Sequence, residues 1–159
     1  MDKSLERRAL LRGAGVAGAS VVGVVAAPEV ASAQGGHPEH SHGVLGAWRV
    51  THTDDPPSTD SGDAIVAFSL GGVITVEELG DGTSGLGAWR SDGHRFRARF
   101  FEASPGEGSE PGVVVEIQVR GRLHHRRISG TYAATVRSDA DDSVLARFTG
   151  TFTGTRVTA

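Results

Sequence analysis

Apolar and polar residues alternate in short runs along most of the chain, and clusters of Gly, Asp, Ser and Pro separate the runs. In "RFRARF", for example, Phe96, Ala98 and Phe100 share one face, and three arginines share the other. A period of two predicts strands with one buried face, and no window shows the 3.6-residue period of a helix. The eight predicted strands are Leu45–Thr53, Asp63–Leu70, Val73–Leu79, Leu86–Ser91, Arg95–Ala103, Gly112–Leu123, Arg127–Arg137 and Val144–Val157.

The connections between these strands are short enough to join antiparallel neighbours, so the strands form either a two-layer sandwich or a closed barrel. Gly130, Gly150 and Gly154 fall on the inner face of the two longest strands, where glycine permits the coiling that closure needs. We therefore predict an all-β fold, an eight-stranded antiparallel up-and-down barrel. A barrel of eight strands is about wide enough to hold one small ligand.

The segment before the strands has the pattern of an export signal. Residues 1–33 combine a charged start, a Gly/Ala-rich apolar run and a small-residue cleavage pattern at Ala31-Ser32-Ala33. Arg7-Arg8 is a twin-arginine arrangement, which points to the bacterial Tat route. We expect a signal peptide with a short helix at 1–33, a flexible His-rich tail at 34–44 and the barrel domain at 45–159. The mature protein is then extracellular or in the cell envelope.

Composition narrows the chemistry further. The chain has no Cys, so it has neither disulfides nor thiol chemistry, and its net charge of −3 makes nucleic acid an unfavourable partner. No phosphate-binding loop or nucleophile–base motif is visible, and we expect no cofactor and no membrane partner after signal cleavage. His37, His40 and His42 in the tail are weak candidates for binding Zn²⁺ or Cu²⁺.

Two short motifs resemble those of the lipocalin and wider calycin group. Gly46-Ala47-Trp48 lies on the first predicted strand, Gly154-Thr155-Arg156 lies on the last, and the alternation places Trp48 and Arg156 inward at the same end. The chain is also similar to small exported bacterial lipocalin-like proteins that end in "FTGTFTGTR". The resemblance implies a ligand-binding barrel whose base is closed by an arginine packed over the tryptophan. The disulfides typical of lipocalins are absent.

The two ends of the predicted barrel differ in character. The even-numbered connections are short: Gly71-Gly72, Asp92–His94 and His124–Arg126. The odd-numbered ones are long and polar, so we expect the mouth at their end, because loops on a rigid scaffold carry function. A ring of carboxylates there favours neutral or cationic ligands over anions. The residues of this ring are Asp54, Asp55, Asp60, Asp81, Glu107, Glu110, Asp139, Asp141 and Asp142.

Polar residues on the inner face are the candidate chemistry. His52, Glu78 and Glu102 fall inward near the mouth, and Tyr132 falls deeper, where its hydroxyl needs a partner. Glu78 points inward if Leu70-Gly71-Gly72 form a three-residue turn, whereas a two-residue turn would send Glu77 inward instead. The predicted ligand-binding residues are His52, Phe68, Glu78, Trp89, Phe96, Phe100, Glu102, Tyr132 and Phe148. Trp89 either lines the cavity or fills the core.

These features predict an exported lipocalin-like barrel that binds a small, largely apolar molecule. One alternative is a barrel isomerase or cyclase that acts on a hydrophobic small molecule with His52, Glu78 and Glu102 as acid and base. Another is a structural surface protein whose inward aromatic side chains fill the barrel. The enclosed volume separates these hypotheses, because ligand pockets measure about 300 Å³ or more.

Overall fold

A computed structural model describes residues 43–80, 82–106 and 111–158. The expected signal helix and the tail that contains His37, His40 and His42 lie outside these residues. The strands are β1 (Gly46–Asp54), β2 (Ser61–Phe68), β3 (Val73–Leu79), β4 (Ser84–Asp92), β5 (Arg95–Ser104), β6 (Val113–His124), β7 (Arg127–Ser138) and β8 (Val144–Arg156). Over the described residues, no helix has the length and apolar character needed to cross a membrane.

The eight strands form one closed antiparallel barrel in chain order, and β8 pairs back with β1. This confirms the predicted strands and the barrel, and the alternative of a two-layer sandwich is wrong. Inward residues are buried and outward ones exposed along most strands, as in β5, where Phe96, Ala98 and Phe100 are buried. Burial of one face of every strand against a shared interior is what favours closure, since a closed sheet has no unpaired edge.

The β2–β3 connection sets which glutamate faces the interior. Phe68 pairs with Ile74, so the turn has the longer of the two forms considered. Gly71 and Gly72 adopt φ values of 85° and 81°, a left-handed conformation that glycine accepts without strain. Glu78 therefore points inward, and Glu77 points outward, where it accepts a hydrogen bond from Ser84 Oγ at 2.6 Å.

The base of the barrel is sealed by Trp48 and Arg156. Trp48 is completely buried, and its Nε1 donates to the Val44 carbonyl at 2.8 Å. The Arg156 guanidinium lies 4.6 Å from the centroid of the indole ring and donates to the carbonyls of Leu45 and Gly43. Such a cation–π contact contributes about 0.5–2 kcal/mol. The predicted contact between these two side chains is confirmed.

The second "LGAWR" has a different structural role. Trp89 on β4 packs edge-on against Phe68, with ring centroids 5.3 Å apart, and its Nε1 donates to the Ser69 carbonyl at 3.1 Å. Phe68 in turn packs edge-on against Phe96. The first copy thus closes the barrel, and the second contributes to the aromatic core beside the β2–β3 turn.

Candidate ligand-binding cavity

Above this aromatic layer, the barrel contains an open cavity of about 1070 Å³ that is lined at one end by the loop after β1. Residues on the outer side of β7 and β8, such as Thr135 and Arg147, also border it. Its wall is mostly aliphatic and aromatic, with Val50, Val66, Val115 and Ile117 among the lining residues. A cavity of this size is at the upper end of the range for small-molecule sites. The structural-protein alternative expected the inward aromatic side chains to fill the interior. The cavity shows that they do not.

Eight of the nine predicted ligand-binding residues line this cavity. They are His52, Phe68, Glu78, Phe96, Phe100, Glu102, Tyr132 and Phe148. Trp89 is buried but is not part of the lining. Its indole N–H is already committed to the Ser69 carbonyl, so Trp89 supports Phe68 from behind instead of facing a ligand.

His52 and Glu78 form a polar pair in the cavity wall. The Nε2 atom of His52 lies 3.1 Å from Oε2 of Glu78, and about a fifth of each side chain is exposed. Both side chains project inward by the alternation along β1 and β3, and they are near each other because these strands flank β2. Gly62 on β2 leaves space between them, since a Cβ there would lie 2.7 Å from His52 Nε2. Partial burial strengthens such a pair relative to one in water, so it can orient or exchange a proton with a bound group.

Asp54 differs from the prediction that it joins an exposed ring of charge. It is 3 % exposed and accepts a short hydrogen bond from the Tyr132 hydroxyl, whose ring passes over Gly150 on the intervening strand β8. The predicted first strand ended at Thr53, but β1 continues by one residue, and the inward alternation of Trp48, Val50 and His52 carries on to Asp54. Extending that alternation by one step would have found this residue from the sequence.

The same aspartate anchors the loop 55–60 at the mouth. Its other carboxylate oxygen accepts from Ser58 Oγ at 3.1 Å, and its backbone N–H donates to the Asp60 carbonyl at 2.7 Å. Next to it, Asp55 bonds Thr149 on β8 through both backbone and side chain, at 2.8 and 2.6 Å. Residues 55–58 line the cavity, so the loop that these contacts hold is part of the wall of the site.

The remaining mouth carboxylates within the described residues surround the opening in water. Asp55, Asp139, Asp141 and Asp142 are exposed, whereas Asp81, Glu107 and Glu110 lie outside the described residues. Asp60 is half-buried and accepts a hydrogen bond from Ser58 Oγ at 3.2 Å. A hydrogen bond with the Ser143 side chain, and another with its backbone, lower the pKa of Asp141 below its ordinary value. This carboxylate therefore keeps its charge to lower pH than a free aspartate does.

The arrangement suits a molecule with an apolar body and a polar end. The deep wall offers only apolar contacts, whereas His52, Glu78 and Glu102 offer hydrogen bonds close to the opening. Among the described residues, no group of three or more His, Asp or Glu side chains is arranged to hold a metal ion. The polar side chains of the lining offer hydrogen bonding, charge and proton exchange in an apolar surrounding.

Comparison with known proteins supports the fold. Neither a scan against models of protein families nor a search of the curated proteins gives a match. A search of the solved structures finds EF1p2_mFAP2b bound to DFHBI, with a TM-score of 0.50 and 16 % sequence identity. The similarity covers 72 % of this chain and 94 % of that chain. The chain thus shares its barrel fold with a solved protein. At 16 % sequence identity, the similarity supports the fold and not a shared function.

Proposed function

We propose that this protein is an exported lipocalin-like barrel that binds a small, largely apolar, neutral or cationic molecule. The observation that carries the proposal is the open cavity of about 1070 Å³ with an apolar wall and a few polar side chains near its mouth. That combination is typical of sites for small molecules. The solved protein of similar fold is bound to DFHBI, which is consistent with a small-molecule ligand for this barrel.

The cation preference follows from the charges at the site. The carboxylates of Asp54, Asp55, Glu78 and Glu102 line the cavity together with one arginine, Arg147, so the charge of the lining is net negative. Exposed aspartates also surround the opening. In a cleft with apolar walls, charges of one sign raise the local concentration of the opposite sign. An apolar molecule with an amine or a neutral polar end is therefore the best match.

A neighbouring pair on β6 provides the first experiment. Val115 lines the cavity, whereas Val114 points outward and is not part of the lining. We expect Val115→Phe to weaken binding of an alkyl trimethylammonium probe by at least about tenfold in calorimetric titration, because the added ring occupies ligand space. Val114→Phe adds the same volume outside. An equal loss in both variants, or no binding by the parent protein, contradicts the proposal.

The charge of the ligand is tested with probes of one chain length. The alkyl trimethylammonium should bind more tightly than the alkyl sulfate, with the alkyl alcohol between them. Glu78→Gln and Glu102→Gln should narrow the difference, since each removes a negative charge from the lining. Tighter binding of the sulfate would refute the cation preference and leave the cavity proposal intact.

A catalytic role is the second candidate, and the His52–Glu78 pair favours it. A histidine 3.1 Å from a carboxylate beside an apolar cavity is suited to move a proton on a bound molecule, as an isomerase requires. Deuterium exchange next to the carbonyl of an apolar cyclic ketone, followed by NMR in D₂O, tests this. An isomerase should lose exchange in His52→Gln while retaining affinity for the ketone. A pure binding protein should show no exchange above the buffer.

Export is the part of the proposal that rests on residues 1–33. The twin arginines, the apolar run and Ala31-Ser32-Ala33 support it. Replacement of Arg7-Arg8 by two lysines should retain the uncleaved protein in the cytoplasm of a Tat-competent host. Mass spectrometry of the exported parent protein should show a chain that starts at Gln34; unchanged export of the lysine variant would exclude the Tat route.

A further inference from the structure

The outer wall of the barrel carries a row of arginines that the strand register brings together. Arg97 on β5 lies directly opposite Arg90 on β4 and opposite Arg120 on β6. One row closer to the base, Arg95 lies opposite Arg122. We call these five residues the basic face; all of them are exposed. The turn beside the basic face adds Arg126 and Arg127, so much of the positive charge of a net negative chain is concentrated here.

This placement works against the stability of the barrel. Like charges directly opposite each other on neighbouring strands are destabilising. Within the described residues, none of the basic-face arginines forms an ion pair, although Asp92 lies opposite Arg95 in register. Elsewhere on the wall, Arg49 and Arg137 each have a carboxylate partner, Asp63 and Asp142 respectively. The positive charge of the basic face is thus not neutralised by carboxylates of the barrel. An external polyanion can neutralise it by binding there.

Aliphatic side chains next to the arginines narrow the class of that polyanion. Leu70 at the tip of the β2–β3 turn is 76 % exposed. The turn lies beside Arg90, because the backbone N–H of Trp89 donates to the Gly72 carbonyl at 2.7 Å. Val73, which follows the turn, is also exposed. Basic residues flanked by exposed aliphatic ones are suited to a bilayer surface, where the cations meet headgroups and the aliphatic groups enter the interface.

Nucleic acid fits the same surface less well. Binding of single strands relies on aromatic side chains on which bases stack. Among the Phe, Tyr and Trp side chains that the structure describes, Phe101 is the exposed one. It lies in the half of the wall nearer the mouth, and the Arg99 guanidinium sits over its ring at 5.2 Å. One face of the Phe101 ring is therefore already covered by Arg99 and is not open to a stacking base.

We propose that the basic face, with Leu70, docks the protein on a bilayer surface that carries anionic phospholipid headgroups. The exposed carboxylates at the opposite end are repelled by such a surface, so the barrel lies with its mouth directed away from the lipid and open to solvent. This goes beyond ligand binding in the cavity and does not depend on it. It also departs from the expectation of no membrane partner after signal cleavage.

The experiment is vesicle co-sedimentation of the full chain at low salt. Vesicles of equimolar phosphatidylglycerol and phosphatidylcholine are compared with vesicles of phosphatidylcholine alone, which report any binding through the apolar run in residues 14–27. We expect phosphatidylglycerol-dependent binding of the parent protein that weakens as NaCl is added. Arg97→Gln with Arg120→Gln should weaken it on the order of 30-fold. Absence of any phosphatidylglycerol-dependent binding overturns the proposal.

A matched control separates the basic face from net charge. Arg49→Gln with Arg137→Gln removes the same charge from elsewhere on the wall and should weaken binding less than about threefold. An equal loss in both double variants means that only net charge matters and refutes a docking face. Thermal unfolding provides a check on folding: relief of like-charge contacts should leave the basic-face variant at least as stable as the control.

A second pair of variants separates lipid from nucleic acid. Leu70→Ser should weaken vesicle binding more than Leu79→Ser, an exposed leucine at the opposite end of the barrel. Duplex DNA is tested at the same salt concentration. If DNA binds more tightly than the vesicles and Leu70→Ser changes nothing, the basic face is a nucleic-acid surface and the lipid proposal is wrong.

Discussion

At the base of the barrel, the side-chain donors of Trp48, Trp89 and Arg156 all bond backbone carbonyl oxygens. At the mouth, by contrast, polar side chains bond one another, as in the pairs His52–Glu78 and Tyr132–Asp54. A side chain that bonds the backbone fixes the fold locally and leaves no titratable acceptor. Paired side chains keep ionisable groups at the cavity wall, where a ligand can compete for them. The hydrogen bonds at the base therefore stabilise the closed end of the barrel, whereas those at the mouth leave ionisable groups that a ligand can bind.

The largest expected effect tests whether the base carries the stability. Trp48→Ala should lower the free energy of unfolding by about 3–5 kcal/mol in denaturant titration, because it removes a fully buried indole and the surface on which Arg156 stacks. Trp48→Phe retains an aromatic ring but loses the N–H bonded to Val44, so its loss should be smaller. If Trp48→Ala costs less than about 1 kcal/mol, the barrel does not depend on its sealed base.

An intermediate effect is expected inside the mouth. Tyr132→Phe should lower the free energy of unfolding by about 1–3 kcal/mol, because the buried carboxylate of Asp54 loses one of its hydrogen-bond donors. In a double-mutant cycle with Asp54→Asn, the two losses should be less than additive, with a coupling of about 0.5–3 kcal/mol. Thr149→Val is the control, because it removes the exposed Thr149 hydroxyl that donates to Asp55. It should lower the free energy of unfolding by less than Tyr132→Phe does. Additive losses in the cycle would show that the hydrogen bond between Tyr132 and Asp54 does not stabilise the attachment of the loop 55–60 to the barrel wall.

The smallest effect concerns Asp63 on the outer wall, which belongs to neither end. Hydrogen bonds from the Thr51 hydroxyl and then from Arg49 lower the pKa of Asp63 below its ordinary value of 3.8. A lowered folded-state pKa stabilises the fold above the unfolded value, and the stabilisation is lost as pH falls through the folded value. Melting curves of the parent and of Asp63→Asn should therefore differ slightly near neutral pH and converge in acid. Thr51→Val should shift the convergence to higher pH; a difference that persists in acid would contradict this assignment.

The contact between Trp48 and Arg156 was implied by the resemblance to lipocalins. The amino-acid sequence by itself determined the eight strands, their inner faces and the inward direction of these two side chains. Each depends on the parity of side chains along a strand, and parity is a local property that a sequence displays directly. For this reason His52, Glu78 and Glu102 were placed correctly on the inner face. The inward direction of Glu78 also depends on the length of the β2–β3 turn, which the pairing of Phe68 with Ile74 decides.

Only the tertiary structure decided which side chains meet and how much space they leave. The partner of Tyr132 is 78 positions away in sequence, on the other side of the seam where β8 meets β1, so no local pattern names Asp54. The inward aromatic side chains were compatible with a filled barrel, and the cavity exists because strand tilt and register, which accumulate around all eight strands, set its width. The row formed by Arg90, Arg97 and Arg120 likewise depends on register across three strands. Parity is fixed residue by residue, whereas register and enclosed volume are properties of the closed sheet.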